Sequence, residues 1–237
     1  MSKPFKFKQF QIRQDRCAMK IGTDGVLLGA WTTLAHNPKS ILDIGTGTGL
    51  IALMLAQRCE AETIDALEID ERAYEQCVEN FEASPWGDRL FCYHAGLDEF
   101  LDEIEDQYDL IVSNPPFHAE EVSSGNAARD IARQNQSLPF VELIEGVSNL
   151  LSPNGIFCTI IPYKEETQFI MMAEQSGLYP QHMTRIKGNP SSEIKRSLLQ
   201  FSFNEKEVVK YGLTIETERH RYTSEYIALT KEFYLKM

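Results

Sequence analysis

The sequence has no Cys-x-x-Cys pair, no internal repeat and no apolar run of membrane-spanning length, and it is short of cations, with 23 Lys and Arg against 35 Asp and Glu. Each shortage removes a class of protein. Its five cysteines, Cys17, Cys59, Cys77, Cys92 and Cys158, are scattered, so neither a zinc site nor a disulfide framework is expected, and they read as small apolar core residues. No metal is expected on the same ground. A bilayer-spanning helix needs about 20 apolar residues, and the opening Met1-Ser2-Lys3-Pro4-Phe5-Lys6 has cations without the apolar segment of a signal peptide. A soluble, cytoplasmic chain without membrane attachment is the expectation. Lack of a repeat excludes solenoids and propellers. The net charge of −12 argues on its face against nucleic acid, whose phosphates are met by Lys and Arg.

What is present qualifies that last exclusion. Residues 1–20 hold Lys3, Lys6, Lys8, Arg13, Arg16 and Lys20 against Asp15 alone, whereas residues 41–125 hold many acids against only Arg58, Arg72 and Arg89. Further cations gather at Arg185, Lys187, Lys195 and Arg196, and again at Arg219 and Arg221. Charge is therefore segregated, and the basic segments can meet a polyanion if the fold sets them around one site. With 237 residues and 43% apolar content, the chain suffices for one large α/β domain. The expected division is an N-terminal arm and helix over 1–39, a catalytic domain over 40–205 and a C-terminal extension of that domain over 206–237.

From residue 41 the pattern is strand, glycine loop, helix. Ile41-Leu42-Asp43-Ile44 reads as a buried strand, Gly45-Thr46-Gly47-Thr48-Gly49 as a tight turn, and Leu50 to Gln57 as a helix with Leu50, Leu53, Met54 and Gln57 on one stripe. Such glycines let the backbone turn sharply and approach a ligand at the helix N-terminus. A second strand, Ile64 to Leu67, ends in Glu68-Ile69-Asp70, where an acid can accept hydrogen bonds from both ribose hydroxyls of an adenosine cofactor. Glu68 is assigned that role first and Asp70 second. The helix over 71–82 places Tyr74, Cys77, Val78 and Phe81 on its core stripe and carries no predicted chemistry. Strands follow at Leu90–His94 and at Tyr108 to Val112, and then near 156–161, 178–187 and 197–203. Helices are expected over Val26–Trp31, capped by Thr23 or Asp24, and after the cap signal Thr223-Ser224. The whole is a Rossmann-like α/β fold with a seven-stranded, mostly parallel sheet and helices on both faces.

The fourth main strand runs straight into Ser113-Asn114-Pro115-Pro116-Phe117. Two prolines cannot continue a ladder or enter a helix interior, so the chain stops at the sheet edge. There it offers a side-chain amide, a bare carbonyl and an aromatic face. If the Asn114 side-chain oxygen and the Pro115 carbonyl accept from an exocyclic amino group, they favour a pyramidal nitrogen with its lone pair out of the ring plane. That is positioning and preorganised electrostatics, with no demand for a strong base. Phe117 would stack on the base, a contact of about 1–3 kcal/mol, and the base must first leave its own stack. His118 is a weaker candidate for general base. The polar stretch 119–136, with Arg129 and Arg133, is long enough without apolar period to be read as a substrate lid.

Leu42-Asp43-Ile44-Gly45-Thr46-Gly47-Thr48-Gly49-Leu50 with Asn114-Pro115-Pro116-Phe117 resembles the amino-methyltransferases that use S-adenosylmethionine. Asp15 to Trp31, Ser84-Pro85-Trp86 and the tail Tyr222 to Met237 extend the resemblance over nearly the whole chain, to the bacterial tRNA1(Val) (adenine(37)-N6)-methyltransferases. The resemblance implies an enzyme that methylates N6 of an adenine, adenosine 37 of valine tRNA. It implies catalysis by Asn114, Pro115, Pro116 and Phe117. It also implies a cofactor site of Asp43, Gly45, Thr46, Gly47, Gly49, Glu68, Ile69, Asp70, Gly96, Leu97 and Asn114, with Lys20, Gly22 and Thr23 at the methionine end. Members usually carry Asp or Asn at the position of Gly96 to accept from the cofactor's adenine, so backbone amides or Asp98 are the alternatives here. Lys6, Lys8, Arg13, Arg129, Arg133, Lys195 and Arg196 are the expected contacts to tRNA, with a monomer as the favoured state. Phe117-His118 resembles the ribosomal guanine-N2 enzymes instead, which keeps open that reaction, glutamine-N5 methylation of a protein, and a cofactor-binding RNA module without turnover.

Overall fold

The computed structural model describes residues 3–116 and 138–236. Phe117, His118, Arg129, Arg133 and most of the stretch read as a lid lie outside the described residues. One sheet organises the rest. Its strands are β3 (Ser40–Ile44), β4 (Thr63–Glu68), β5 (Leu90–His94), β6 (Tyr108–Ser113), β7 (Leu151–Pro162), β8 (Tyr179–Lys187), β9 (Ile194–Ser202) and β10 (Val209–Thr214), in the spatial order β10-β8-β9-β7-β6-β3-β4-β5. All neighbours are parallel except the two pairs made by β9. The sheet thus has one more strand than the seven expected. β10 escapes a hydrophobic-pattern reading because only Leu213 of its side chains is buried.

Helices cover both faces, which is why the central strands read as unbroken apolar runs. Ile41, Leu110, Val112 and Ile160 point to one face, against α1 (Thr23–Trp31), α2 (Leu50–Arg58), α3 (Glu71–Glu82) and the last helix, Ser224–Thr230. Leu42, Ile44, Ile111 and Phe157 point to the other, against α4 (Leu97–Glu103), α5 (Phe140–Leu150) and α6 (Glu166–Gln175). Between these layers α2 is buried from Leu50 to Ala56, not along one stripe, so Leu53→Ala there should cost about 2–5 kcal/mol. The Ser152–Gly155 segment, expected as a turn, is held as an irregularity within β7: Tyr108 pairs with Leu151 but Leu110 with Ile156.

The two chain ends pack together. A short hairpin of β1 (Phe5–Lys6) and β2 (Gln11–Ile12) buries Phe7, Phe10 and Ile12, and Lys8 N–H donates to the Phe233 carbonyl at 2.8 Å. After it, residues 13–21 run across α3. That helix buries Gln76 and Asn80 beside Cys77 and Phe81, while Tyr74 and Val78 are only half-buried. Asn80 Oδ1 accepts from Arg13 N–H, and its amide nitrogen donates to the carbonyls of Arg13 and Thr48. Gln76 accepts from Arg16 N–H and donates to Asp15.

Candidate active site

The carboxyl ends of β3, β4 and β6 build the site. Gly45, Gly47 and Gly49 have φ of +71°, +59° and +79°, the left-handed region that favours glycine. Gly49 is required twice, since a Cβ there would also lie 2.5 Å from Phe81 Cε1. At Gly45 and Gly47 a Cβ would meet nothing within 4 Å, so the loop's inner side is open to a ligand. Asp43, fully buried, fixes the loop from below by accepting from Thr46 Oγ1 at 2.6 Å and from Ala52 N–H at 3.3 Å. Burial, and then the nearby Glu68 charge, push its carboxyl up to about 7.

Glu68 reaches back over that loop. One carboxylate oxygen accepts from Gly47 N–H at 2.8 Å and the other from Asp70 N–H at 2.9 Å, while burial raises its pKa. Asp70 itself caps α3, accepting from Ala73 N–H. Ile69 between them is 56% exposed, unusual for an isoleucine unless its surface serves a ligand. Gly96 and Leu97 stand at the end of neighbouring β5 and the start of α4.

At β6 the register pairs Ile44 with Ser113, and Ser113 Oγ donates to the Ile44 carbonyl at 2.9 Å. Asn114 therefore emerges beside Gly45. Its Oδ1 is buried and accepts no hydrogen bond, and its amide nitrogen would lie 4.0 Å from a Cβ on Gly25 of α1. Pro115 is buried behind it and Pro116 half-buried. A buried acceptor without a donor carries a desolvation cost of about 1–3 kcal/mol, so this oxygen is chemically set up for an incoming N–H.

The remaining predicted residues fall into three groups. Gly22 is the N-cap of α1 in place of the expected Thr23 or Asp24, since the chain enters the helix one residue earlier, and no side chain caps it. Gly22, Thr23 and Lys20 are exposed on the approach to the helix. Lys6, Lys8 and Lys195 are exposed too, whereas Arg13 and Arg16 are engaged by Glu79 of α3, with Arg16 also on Glu75, so much of the arm's charge is spent on the acidic helix beneath it. Arg196 likewise pairs with Asp24 at 2.8 Å, tying the start of α1 to β9.

Pattern reading missed Gln76 and Asn80, which hold the arm over the site, and Cys17, whose thiol is pushed up to about 12 by burial and then by Glu68 and Asp70. The available signal was two amides spaced four apart on the buried side of an amphipathic helix, positions where apolar residues are the rule.

Among the described residues no group of His, Cys, Asp and Glu could hold a metal, and no helix is long and apolar enough to cross a membrane. The methyltransferase small domain family matches residues 22–174. The tRNA1(Val) (adenine(37)-N6)-methyltransferase of Flavobacterium johnsoniae is 64% identical over 98% of this chain and 100% of its own length. The enzyme of that name from Flavobacterium psychrophilum is 65% identical over the same shares. Among solved structures, a predicted O-methyltransferase from Agrobacterium tumefaciens superposes with a TM-score of 0.70 at 17% identity, covering 89% of this chain and 96% of that one, a likeness of fold alone. An open glycine cradle beside a donor-hungry Asn114, on this fold and at this similarity, places the chain in the methyltransferase small domain family, among the tRNA1(Val) (adenine(37)-N6)-methyltransferases.

Proposed function

We propose that the chain methylates N6 of an adenine in tRNA, adenosine 37 of tRNA1(Val), with S-adenosylmethionine as donor. The observation that carries this reading is the buried, unpartnered Asn114 Oδ1 beside Gly45. The open cradle at Gly45 and Gly47 and the carboxylate of Glu68 suit the adenosine-methionine donor, with Asp43 and Thr46 shaping the loop and Ile69, Gly96 and Leu97 along its far side. Bound there, S-adenosylmethionine supplies an electrophilic methyl group.

The chain's own residues prepare the nucleophile. Asn114 Oδ1 and the Pro115 carbonyl accept the two amino hydrogens, draw electron density onto the nitrogen and turn its lone pair out of the ring plane. The proline rings, with φ locked, hold this acceptor pair rigid. Phe117 provides the stacking face. The proton lost from nitrogen after transfer goes to solvent, since the methylated amino group is strongly acidic before it is released. The exposed Lys6, Lys8 and Lys195, with Arg129 and Arg133, would meet the tRNA phosphates.

Transfer of labelled methyl from S-adenosylmethionine to total tRNA, ribosomes and release factor, followed by nucleoside analysis, tests the proposal. N6-methyladenosine in tRNA is the expected product. Label in N2-methylguanosine or in protein would replace it with one of the rival reactions, and binding without any transfer would leave a non-catalytic module.

A further inference from the structure

We propose that Asp98 recognises the exocyclic amino group of the donor's adenine, taking over the acceptor that position 96 lacks. The inference rests on the methyltransferase reading above. Gly96 has φ −71° and ψ 162°, a conformation open to any residue, so backbone geometry does not require glycine. Side-chain space does. A Cβ at position 96 would lie 2.5 Å from Asp98 Oδ1, which no real Cβ tolerates, and 3.8 Å from Ile69 Cδ1. The carboxylate of Asp98 thus occupies the place a side chain at 96 would fill, and glycine is what admits it.

That carboxylate is not spent on the fold. The reciprocal bond at the start of α4 is made by Glu99, whose Oε2 accepts from Gly96 N–H at 3.0 Å. Asp98 is exposed and accepts no hydrogen bond among the described residues. It stands at the end of β5 next to the end of β4, where Glu68 pairs in register with His94. Ile69, 56% exposed against the same point, supplies an apolar face for a purine, and Asp98 an acceptor for its amino edge. Such a site discriminates by chemistry: hypoxanthine presents an oxygen where adenine presents an amino group, and two acceptors repel.

Calorimetric titration with S-adenosylhomocysteine and with its deaminated S-inosyl counterpart tests this. Asp98→Ala should lose about 10-fold or more in affinity for S-adenosylhomocysteine, the scale of one hydrogen bond to a charged acceptor, with the S-inosyl compound unaffected and the melting temperature unchanged. Asp98→Asn, whose amide can also donate, should narrow the preference between the two ligands. Gly96→Asp should bind poorly alone and recover when combined with Asp98→Ala, because the two carboxylates compete for one place. Unchanged affinity in Asp98→Ala, or equal loss for both ligands, would overturn the assignment to Asp98 alone. Failure of the unsubstituted chain to bind S-adenosylhomocysteine would overturn the methyltransferase reading as well.

Discussion

Asn114 is useful because its oxygen is kept from every donor in the surrounding protein. Asn114→Ala removes that acceptor while leaving the glycine loop intact. Methyl transfer should fall about 10²–10³-fold, the size of effect seen when one preorganised charge-stabilising group is removed, and S-adenosylhomocysteine affinity should stay nearly the same. Equal losses in both would make the residue structural. Asp43 is visible in a different observable. Its carboxyl, near 7 in the folded chain against an ordinary 3.8, holds its proton more tightly folded than unfolded. Between those two values the folded state binds the extra proton, so stability from this group is greatest in acid and declines as pH rises through that window. Glu68, also raised, adds with the same sign. Asp43→Asn should therefore flatten the fall of melting temperature between about pH 4 and pH 7, and an unchanged slope would count against the buried, proton-holding carboxyl. The sequence marks both acids by their place after a strand. It gives no sign of their protonation, which depends on how much water the folded loop excludes.

At the scale of elements, α3 does more than its periodicity implies. Cys77 and Phe81 join the core, but Gln76 and Asn80 are equally buried and bind backbone that is distant in sequence. Asn80 joins the arm at Arg13 to the glycine loop at Thr48, so it couples a terminal segment to the cofactor cradle. Asn80→Ala breaks these bonds and should cost about 1–3 kcal/mol, with faster amide hydrogen exchange at residues 13–17. Exchange unchanged there would show the arm to be held by its aromatic anchors alone. The strand–loop–helix unit from Ile41 to Arg58 was legible because a buried strand, left-handed glycines and a helix are each local. β10 and the buried amides were not, because their partners lie far along the chain.

For the whole molecule, charge segregation takes on a second meaning. The basic arm lies across the acidic helix α3, with Arg13 and Arg16 on Glu75 and Glu79, and this offsets like-charge crowding in the catalytic half. Lys6 and Lys8, exposed beside it, are the better candidates for phosphate. Reversing both to Glu should weaken tRNA binding and lower the salt dependence by roughly 0.7–0.9 in log–log slope for each phosphate that goes unneutralised, whereas Arg13→Glu should act more through stability. Equal affinities at low salt would take the arm out of the interface. By itself the sequence determined the parallel α/β architecture, the glycine cradle, the acid that follows the second main strand and the rigid Asn-Pro-Pro edge. All of these are written in short spacings that fix backbone conformation. Only the tertiary structure decided which of those groups are unpartnered, which cations stand clear of the acidic helix, and that Asp98 fills the space above Gly96, because pairing and exclusion depend on residues brought together by the sheet.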